Sequence, residues 1–206
     1  MTLVLTFVTS LMLGMRHATD PDHVVAVTTI VSSERSVFKA ARIGALWGIG
    51  HSLTILRVGG AIIVFKVAFS VRLGLSMELT VAIMLIVLGL LNLFNVNAHA
   101  KPVSPGRPLL IGVVHGLAGS AGAALVLVPL IDDPRFAALY LLVFGLGTIA
   151  GMSLVTLAIA TPALVAGPPT AGVQRSIRLA SGAVSVVFGV YLAYKIGFTE
   201  GLFTPE

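Results

Sequence analysis

Seven consecutive residues, from His17 to His23, carry two imidazoles, two carboxylates and a proline, in the order His-Ala-Thr-Asp-Pro-Asp-His. Apolar sequence flanks them on both sides, at 3–15 and 24–31. Ionisable groups inside an apolar segment are costly to retain, so they indicate a functional site. Imidazole and carboxylate together suit divalent first-row metals such as Ni²⁺, Co²⁺, Zn²⁺ and Mn²⁺. The absence of cysteine argues against a soft site for Cu(I).

We predict His17, Asp22 and His23 as metal ligands, because three such groups in one apolar span leave little room for a role in packing alone. The alternative is a structural cluster held by hydrogen bonds. His51, which lies about 12 Å inside its own apolar span, is predicted as a fourth ligand or a residue of the ion pathway. The alternative for His51 is a hydrogen bond between helices. Asp20 fits a ligand and a helix cap equally well.

Further polar residues are assigned to the metal site or to the ion pathway. His115 lies among glycines, so contact with the ion and a hydrogen bond between helices are both open. Arg16 is a predicted partner of Asp20, one turn away. Arg57 is predicted either to pair with a site carboxylate or to reach the membrane interface. The remaining assigned residues are Ser52, Ser120 and Thr148.

The composition places this chemistry in a membrane. The 206 residues are 57% hydrophobic and 10% charged, with a mean hydropathy of +1.04, whereas a soluble domain carries about 25% charged residues. The long apolar runs lack the alternation of a β-barrel, so an all-α integral membrane protein is predicted. Residues 1–206 would form a single transmembrane domain of about six helices of about 20 residues each.

The first span is predicted to break near Pro21, since proline cannot donate to the carbonyl of His17 and its ring clashes there. Asp20 would cap the second half-helix and Pro21 would open it. Charged residues between the spans are predicted to lie in loops: Lys39, Arg42, Arg72, Glu78, Arg135, Arg175 and Arg178. The six predicted spans are about 2–33, 43–65, 79–96, 109–130, 136–162 and 179–196.

The two halves of the chain also resemble each other. Residues 13–17 match 111–115 at an offset of 98, 47–51 match 144–148 at an offset of 97, and Gly89 matches Gly189 at an offset of 100. Each unit holds three spans, an odd number, so the second unit would insert inverted, and binding sites in such folds lie between the repeats. The predicted division is repeat 1 at about 1–97, a cytoplasmic linker at about 98–107 and repeat 2 at about 108–200.

The basic residues predict the orientation. The loops after spans 1, 3 and 5 carry seven Lys and Arg residues and the opposite side carries four, so both termini would lie outside the cytoplasm in the cytoplasmic (inner) membrane. The net charge of +5 reflects these loops, and nucleic acid is not a predicted partner. No Walker A motif is present in the sequence, so ATP hydrolysis is not expected.

The segment from Arg16 to His23 resembles the signature helix of the nickel/cobalt transporter (NiCoT, NicO) family, and Gly50-His51-Ser52 resembles its second motif. The segments 115–120 and 144–148 are similar to a shorter branch, the high-affinity nickel transporters and urease-accessory membrane proteins. The resemblance implies movement of nickel or cobalt across a cytoplasmic membrane. It implies metal recognition by His17, Asp22, His23 and His51.

These observations lead to a secondary transporter or permease for Ni²⁺ or Co²⁺, with the ion as cargo and no prosthetic group. A membrane nickel-binding accessory protein for urease or hydrogenase maturation is the first alternative, and an exporter is the second. An enzyme is not expected, because no acid–base or nucleophile set accompanies the five histidines. The expected partners are the divalent ion and the lipid bilayer, with a second copy of the chain or metalloenzyme maturation proteins left open.

Overall fold

The computed structural model describes residues 3–31, 34, 36–65, 70–94, 104–117, 128, 131, 133–165 and 170–204. The regular structure within these residues is helical. The α-helices are α1 (Leu3–His17), α2 (Pro21–Val31), α3 (Val37–Phe65), α4 (Val71–Phe94), α5 (Gly106–His115), α6 (Pro134–Val165) and α7 (Ala171–Tyr194). A π-helical turn, Lys195–Thr199, continues α7.

Four of these helices, α3, α4, α6 and α7, are long and apolar enough to cross a membrane. Large apolar side chains on their surfaces are exposed, as at Val64, Phe94, Leu146 and Val187, and lipid is the environment that suits such surfaces. The predicted all-α architecture is therefore confirmed for the described residues, with four helices that could span a membrane. The six-span arrangement stays a prediction, because the first predicted span is divided between α1 and α2, and residues 118–127 of the fourth lie outside the described residues.

The predicted break in the first span is present. Helix α1 ends at His17 and α2 begins at Pro21. In the turn between them, the amides of Thr19 and Asp20 donate to the carbonyls of Arg16 and His17 at 2.8 and 3.1 Å. Because Pro21 has no N–H to continue the helix, the backbone restarts there. The side chains of the motif are thus presented at two helix ends.

The helices extend further into the polar segments than predicted. The charged residues assigned to loops lie instead within helices: Lys39 and Arg42 in α3, Arg72 and Glu78 in α4, Arg135 in α6, and Arg175 and Arg178 in α7. The loop assignment was wrong at these positions because Lys, Arg and Glu are good helix formers. A helix that leaves the hydrocarbon also keeps its backbone hydrogen bonds. Glu78 consequently lies on a regular helix, α4, and not in a loop.

The helices pack in two groups. In the first, α1 packs against α6, α6 against α3, and α3 against α5; in the second, α4 packs against α7. Helix α2 contacts α7, α4 and α6 and so lies between the two groups. We call the first group the four-helix bundle and the second group the helix pair. The His-Asp motif runs from His17, at the end of α1 in the four-helix bundle, to His23 on α2.

Glycines permit the closest of these contacts. A Cβ on any of four glycines would collide with a backbone carbonyl oxygen of the neighbouring helix, which is how small residues bring helices together in membranes. The contacts come in pairs related by the repeat: each residue of one contact lies 97 or 98 positions from the matching residue of its counterpart. The colliding pairs are Gly14 with Phe144 and its counterpart Gly112 with Trp47, and Gly50 with Leu109 and its counterpart Gly147 with Leu11.

Candidate metal centre

Five side chains from four helices meet inside the protein. His17 ends α1, Asp22 and His23 lie in the first turn of α2, His51 lies within α3, and His115 ends α5. The buried histidines have no exposed surface at positions 23, 51 and 115, and His17 is 6% exposed. We call these five residues the His/Asp cluster. The structure thus brings together the four predicted ligands and His115.

The imidazoles of His17 and His51 face each other. Their Nε2 atoms are 3.0 Å apart. Without a cation, this contact requires one of the two nitrogens to carry the proton and donate it. Two nitrogens that bind one metal at about 2.1 Å and at right angles are also about 3 Å apart. The pair can therefore serve as a hydrogen bond or as adjacent metal ligands.

Asp22 joins two other imidazoles. Its Oδ1 lies 3.1 Å from Nδ1 of His23, and its Oδ2 lies 2.9 Å from Nε2 of His115. Asp20 bonds to a third imidazole, that of His17, whose Nδ1 lies 2.8 Å from its Oδ2. Bonds between carboxylate and imidazole fix the ring orientation and increase ligand basicity in metal sites. In this structure Asp20 therefore orients the ring of His17, whose other nitrogen, Nε2, faces His51.

Several buried nitrogens lack a hydrogen-bond partner among the described residues: Nε2 of His23, Nδ1 of His51 and Nδ1 of His115. Buried polar atoms without partners are uncommon and point to an unseen ion or water. Ligand atoms within 4.8 Å of one another form two groups that share His23: the first is His17, His23 and His51, and the second is Asp22, His23 and His115. The cluster can hold a metal ion by either group.

Two aromatic side chains enclose the imidazoles. The ring centroid of Trp47 lies 5.5 Å from that of His23 and 5.4 Å from that of His115, and the centroid of Phe144 lies 5.7 Å from that of His17. An apolar enclosure controls solvent access and lowers the local dielectric around a metal site. The sequence marked both aromatics only as matching positions in the repeat. Their contact with the imidazoles is visible only in the packing.

The predicted hydroxyl residues bond to helix backbone. Ser52 Oγ donates to the carbonyl of Gly145 on α6 at 3.0 Å, and Thr148 Oγ1 donates to the carbonyl of Phe144 at 3.0 Å. Both side chains are buried. Ser120, the third predicted hydroxyl, lies outside the described residues, as do residues 98–103 of the predicted linker.

The predicted arginine partners are not part of the cluster. Among the described ion pairs, Asp20 is joined to His17, and the predicted pair with Arg16 does not form. The Arg16 side chain is exposed, and so is that of Arg57 on α3. Exposure of Arg57 fits the membrane-interface alternative, in which a long side chain extends towards the lipid headgroups.

Replacing Ser52 with alanine is expected to destabilise the fold without changing metal affinity. The hydroxyl donates across helices to Gly145, and such bonds in membrane proteins contribute about 0.6 kcal/mol on average. Unfolding of the purified protein by SDS in mixed micelles would measure the loss, and isothermal titration would measure Ni²⁺ affinity. A fall in affinity above about 10-fold (about 1.4 kcal/mol) would make Ser52 part of the metal site.

The fold and the site together define a class: a helical membrane protein with a buried imidazole–carboxylate cluster between its helices. In sequence, the chain is 34% identical over 209 residues to the urease accessory protein UreH of Bacillus sp. (strain TB-90). The alignment covers 93% of this chain and 91% of the relative. The chain therefore belongs to the family of this urease accessory protein.

This membership confirms the predicted resemblance at the level of the family, and the assignment to its shorter branch stays a prediction. It also confirms the expectation of a protein that is not an enzyme, because the relative is named as an accessory protein. No family model matches the sequence. No solved structure matches the chain.

Proposed function

We propose that the protein is a secondary transporter that moves Ni²⁺ across the cytoplasmic membrane and binds the ion in the His/Asp cluster. The observation that carries this proposal is the convergence of four buried imidazoles and the Asp22 carboxylate inside a membrane helix bundle. Such groups are costly in a membrane and are retained where an ion or substrate passes. His17, Asp22, His23 and His51 are the proposed ligands, and His115 joins them through Asp22.

The donor set favours a divalent first-row metal. Imidazole nitrogens suit Ni²⁺, Co²⁺ and Zn²⁺, and the chain contains no thiolate. The carboxylates of Asp22 and Asp20 offset the two positive charges of an ion that has left water. Among these metals nickel is proposed as the cargo because the relative is named as a urease accessory protein, and urease is a nickel enzyme. Co²⁺ is the second proposed cargo.

For the architecture we propose six spans in two inverted repeats that alternate access to the cluster. The glycine contacts support this arrangement, because each is matched by a counterpart at the repeat offset. Across α4 and α7, Gly89 approaches the carbonyl of Gly182, and its repeat counterpart Gly189 approaches that of Ala82. In inverted-repeat transporters the ion site lies between the repeats at discontinuous helices, as the break between α1 and α2 would provide.

Uptake needs no ATP under this proposal. The membrane potential contributes about 2.3 kcal/mol per charge per 100 mV, about twice that for a divalent ion, and it drives cations inward. The bias of Lys and Arg residues towards one end of the predicted spans supports termini on the non-cytoplasmic side. Export would use the same ligands in the opposite direction and would require coupling to another gradient.

The test is Ni²⁺ flux into proteoliposomes that contain the purified protein, with Co²⁺, Zn²⁺ and Mn²⁺ as competitors. Saturable uptake that rises with an inside-negative potential is expected. His17→Ala should reduce it at least about 10-fold, because His17 lies in one ligand group and faces His51, and even outer partners of metal ligands are worth 10- to 100-fold. Uptake by His17→Ala at the wild-type rate would refute the proposed site.

A second candidate is an accessory protein that binds nickel and passes it to urease assembly proteins without a transport cycle. The name of the relative is the observation that favours it. Tight, His17-dependent Ni²⁺ binding without flux in the same proteoliposomes would place this function first. Release of the bound ion to a urease assembly complex would then be the next measurement.

A further inference from the structure

A cavity of about 240 Å³ lies between α2, α4 and α7. Its lining combines three acidic residues, Asp20, Asp22 and Glu78, with the apolar side chains of Val81, Phe188 and Leu192. Glu78 is contributed by α4, whereas Asp20 and Asp22 lie at the start of α2. A cleft lined by charge of one sign and bounded by apolar walls concentrates counter-ions.

This cavity reaches the His/Asp cluster through Asp22. The Asp22 side chain is 13% exposed and lines the cavity, while its two oxygens bond to the buried rings of His23 and His115. Asp20, 39% exposed, lines the same cavity and bonds to His17. Each carboxylate therefore has one side on open volume and the other on a buried imidazole. Nε2 of His23, buried and without a partner among the described residues, lies one residue further along.

The opposite end of α2 is closed by hydrogen bonds. Asn92 of α4 donates through its side-chain Nδ2 to the main-chain carbonyl of Thr29 at 2.9 Å. The main-chain carbonyl of Asn92 accepts from the Arg178 guanidinium at 3.1 Å. Arg178 is only 4% exposed. Thr29 is seven residues beyond Asp22, about 11 Å along the helix. The cluster thus has a cavity at one end of α2 and a packed polar network at the other.

We propose that this cavity is the access path of the hydrated divalent cation, and that Glu78 is its outer cation contact. This inference rests on the proposed function. Glu78 attracts the hydrated ion, and the ion then passes to Asp20 and Asp22, which are already bonded to the imidazoles. The nearby Lys195 does not oppose this, since its ammonium is paired with Glu200 at 2.9 Å. The cavity lies near the start of α4 and the end of α7, whereas Asn92 and Arg178 lie near the opposite ends of those two helices.

Glu78→Gln tests the outer contact. Because the change removes one of three carboxylates from the cavity, the KM for Ni²⁺ uptake is expected to rise about 3- to 10-fold. The maximal rate should stay within about 2-fold, since the residues of the cluster are unchanged. Glu78→Asp should keep most of the wild-type KM. The wild-type KM should also rise with ionic strength more steeply than that of Glu78→Gln.

The matched control is Asp133→Asn, which removes an exposed carboxylate whose Oδ1 accepts from the amide of Arg135 at the start of α6. It should leave KM unchanged. Equal KM values and equal salt dependence in wild type and Glu78→Gln would overturn the role of Glu78. The proposed transport function would still stand in that case, provided that His17→Ala reduces uptake as expected.

Cysteine labelling tests the path itself, because the natural chain contains no cysteine. Leu192→Cys lines the cavity, and Val190→Cys on the same helix is exposed on the outer surface. A membrane-impermeant maleimide should label Leu192→Cys, Ni²⁺ should slow that labelling, and Val190→Cys in lipid should not react. Absence of labelling at Leu192→Cys, or labelling that Ni²⁺ does not change, would overturn the access path even where His17-dependent uptake is intact.

Discussion

Replacing His23 with alanine is expected to reduce Ni²⁺ binding and uptake by at least about 100-fold. His23 belongs to both groups of candidate ligand atoms, one with His17 and His51 and one with Asp22 and His115. Its removal therefore damages the site whichever group binds the ion. Loss of a partner that only orients a metal ligand already costs about 10- to 100-fold. Isothermal titration in detergent and flux in proteoliposomes would measure the two losses.

The control for this variant is Thr28→Ala on the same helix. The Thr28 hydroxyl donates to the carbonyl of Val24 one turn earlier and is half-buried. Both variants should reach the membrane in wild-type amounts, and Thr28→Ala should bind Ni²⁺ normally. If His23→Ala kept its Ni²⁺ affinity, the cluster would be a structural hydrogen-bonded network, which is the alternative left open by the sequence.

Gly50→Ala is expected to destabilise the folded protein by about 2 kcal/mol or more. A Cβ on Gly50 would collide with the carbonyl oxygen of Leu109 on α5, and backbone cannot give way as the end of a flexible side chain can. Overpacking of this kind costs about 1–3 kcal/mol. Because His51 is the next residue, separation of α3 from α5 should also weaken Ni²⁺ binding. Thermal unfolding in detergent micelles and titration with SDS would measure the stability.

Gly60→Ala is the matched control for that change. It lies on the same helix, and a Cβ there would meet nothing within 4 Å. Since alanine is the better helix former by up to about 1 kcal/mol, it should be neutral or stabilising. Gly147→Ala should match Gly50→Ala, because its Cβ would meet the carbonyl of Leu11 at the equivalent repeat position. Destabilisation at Gly50 alone would argue against equivalent repeats.

Local chemistry explains what the sequence predicted correctly. The break at Pro21 follows from the missing N–H and the ring of one residue, and no distant contact is needed to foresee it. His17, Asp22 and His23 are close in the sequence, so their proximity in space was expected. His51 was reached through its depth in an apolar span, and the repeat offset directed attention to His115.

The remaining contacts depend on packing between distant segments. That Asp22 bonds to His115 requires α2 and α5 to meet, although the two residues are 93 positions apart. Asp20 was assigned to Arg16 one turn away, but the turn between α1 and α2 places its carboxylate on His17 instead. Glu78 was assigned to a linker, and only the packing of α4 with α7 and α2 gives it a cavity to line.

The location of α2 between the four-helix bundle and the helix pair has a mechanical consequence. His17, His51 and His115 belong to the bundle, whereas Asp22 and His23 lie on the helix that contacts the pair. A cation bound by residues from both would link α2 to the four-helix bundle. The three-residue turn 18–20 would then be the hinge between them. Binding of the ion and association of α2 with the bundle would then be thermodynamically linked. Any motion that separates them would loosen the ion, and loss of the ion would ease that motion by the same free energy.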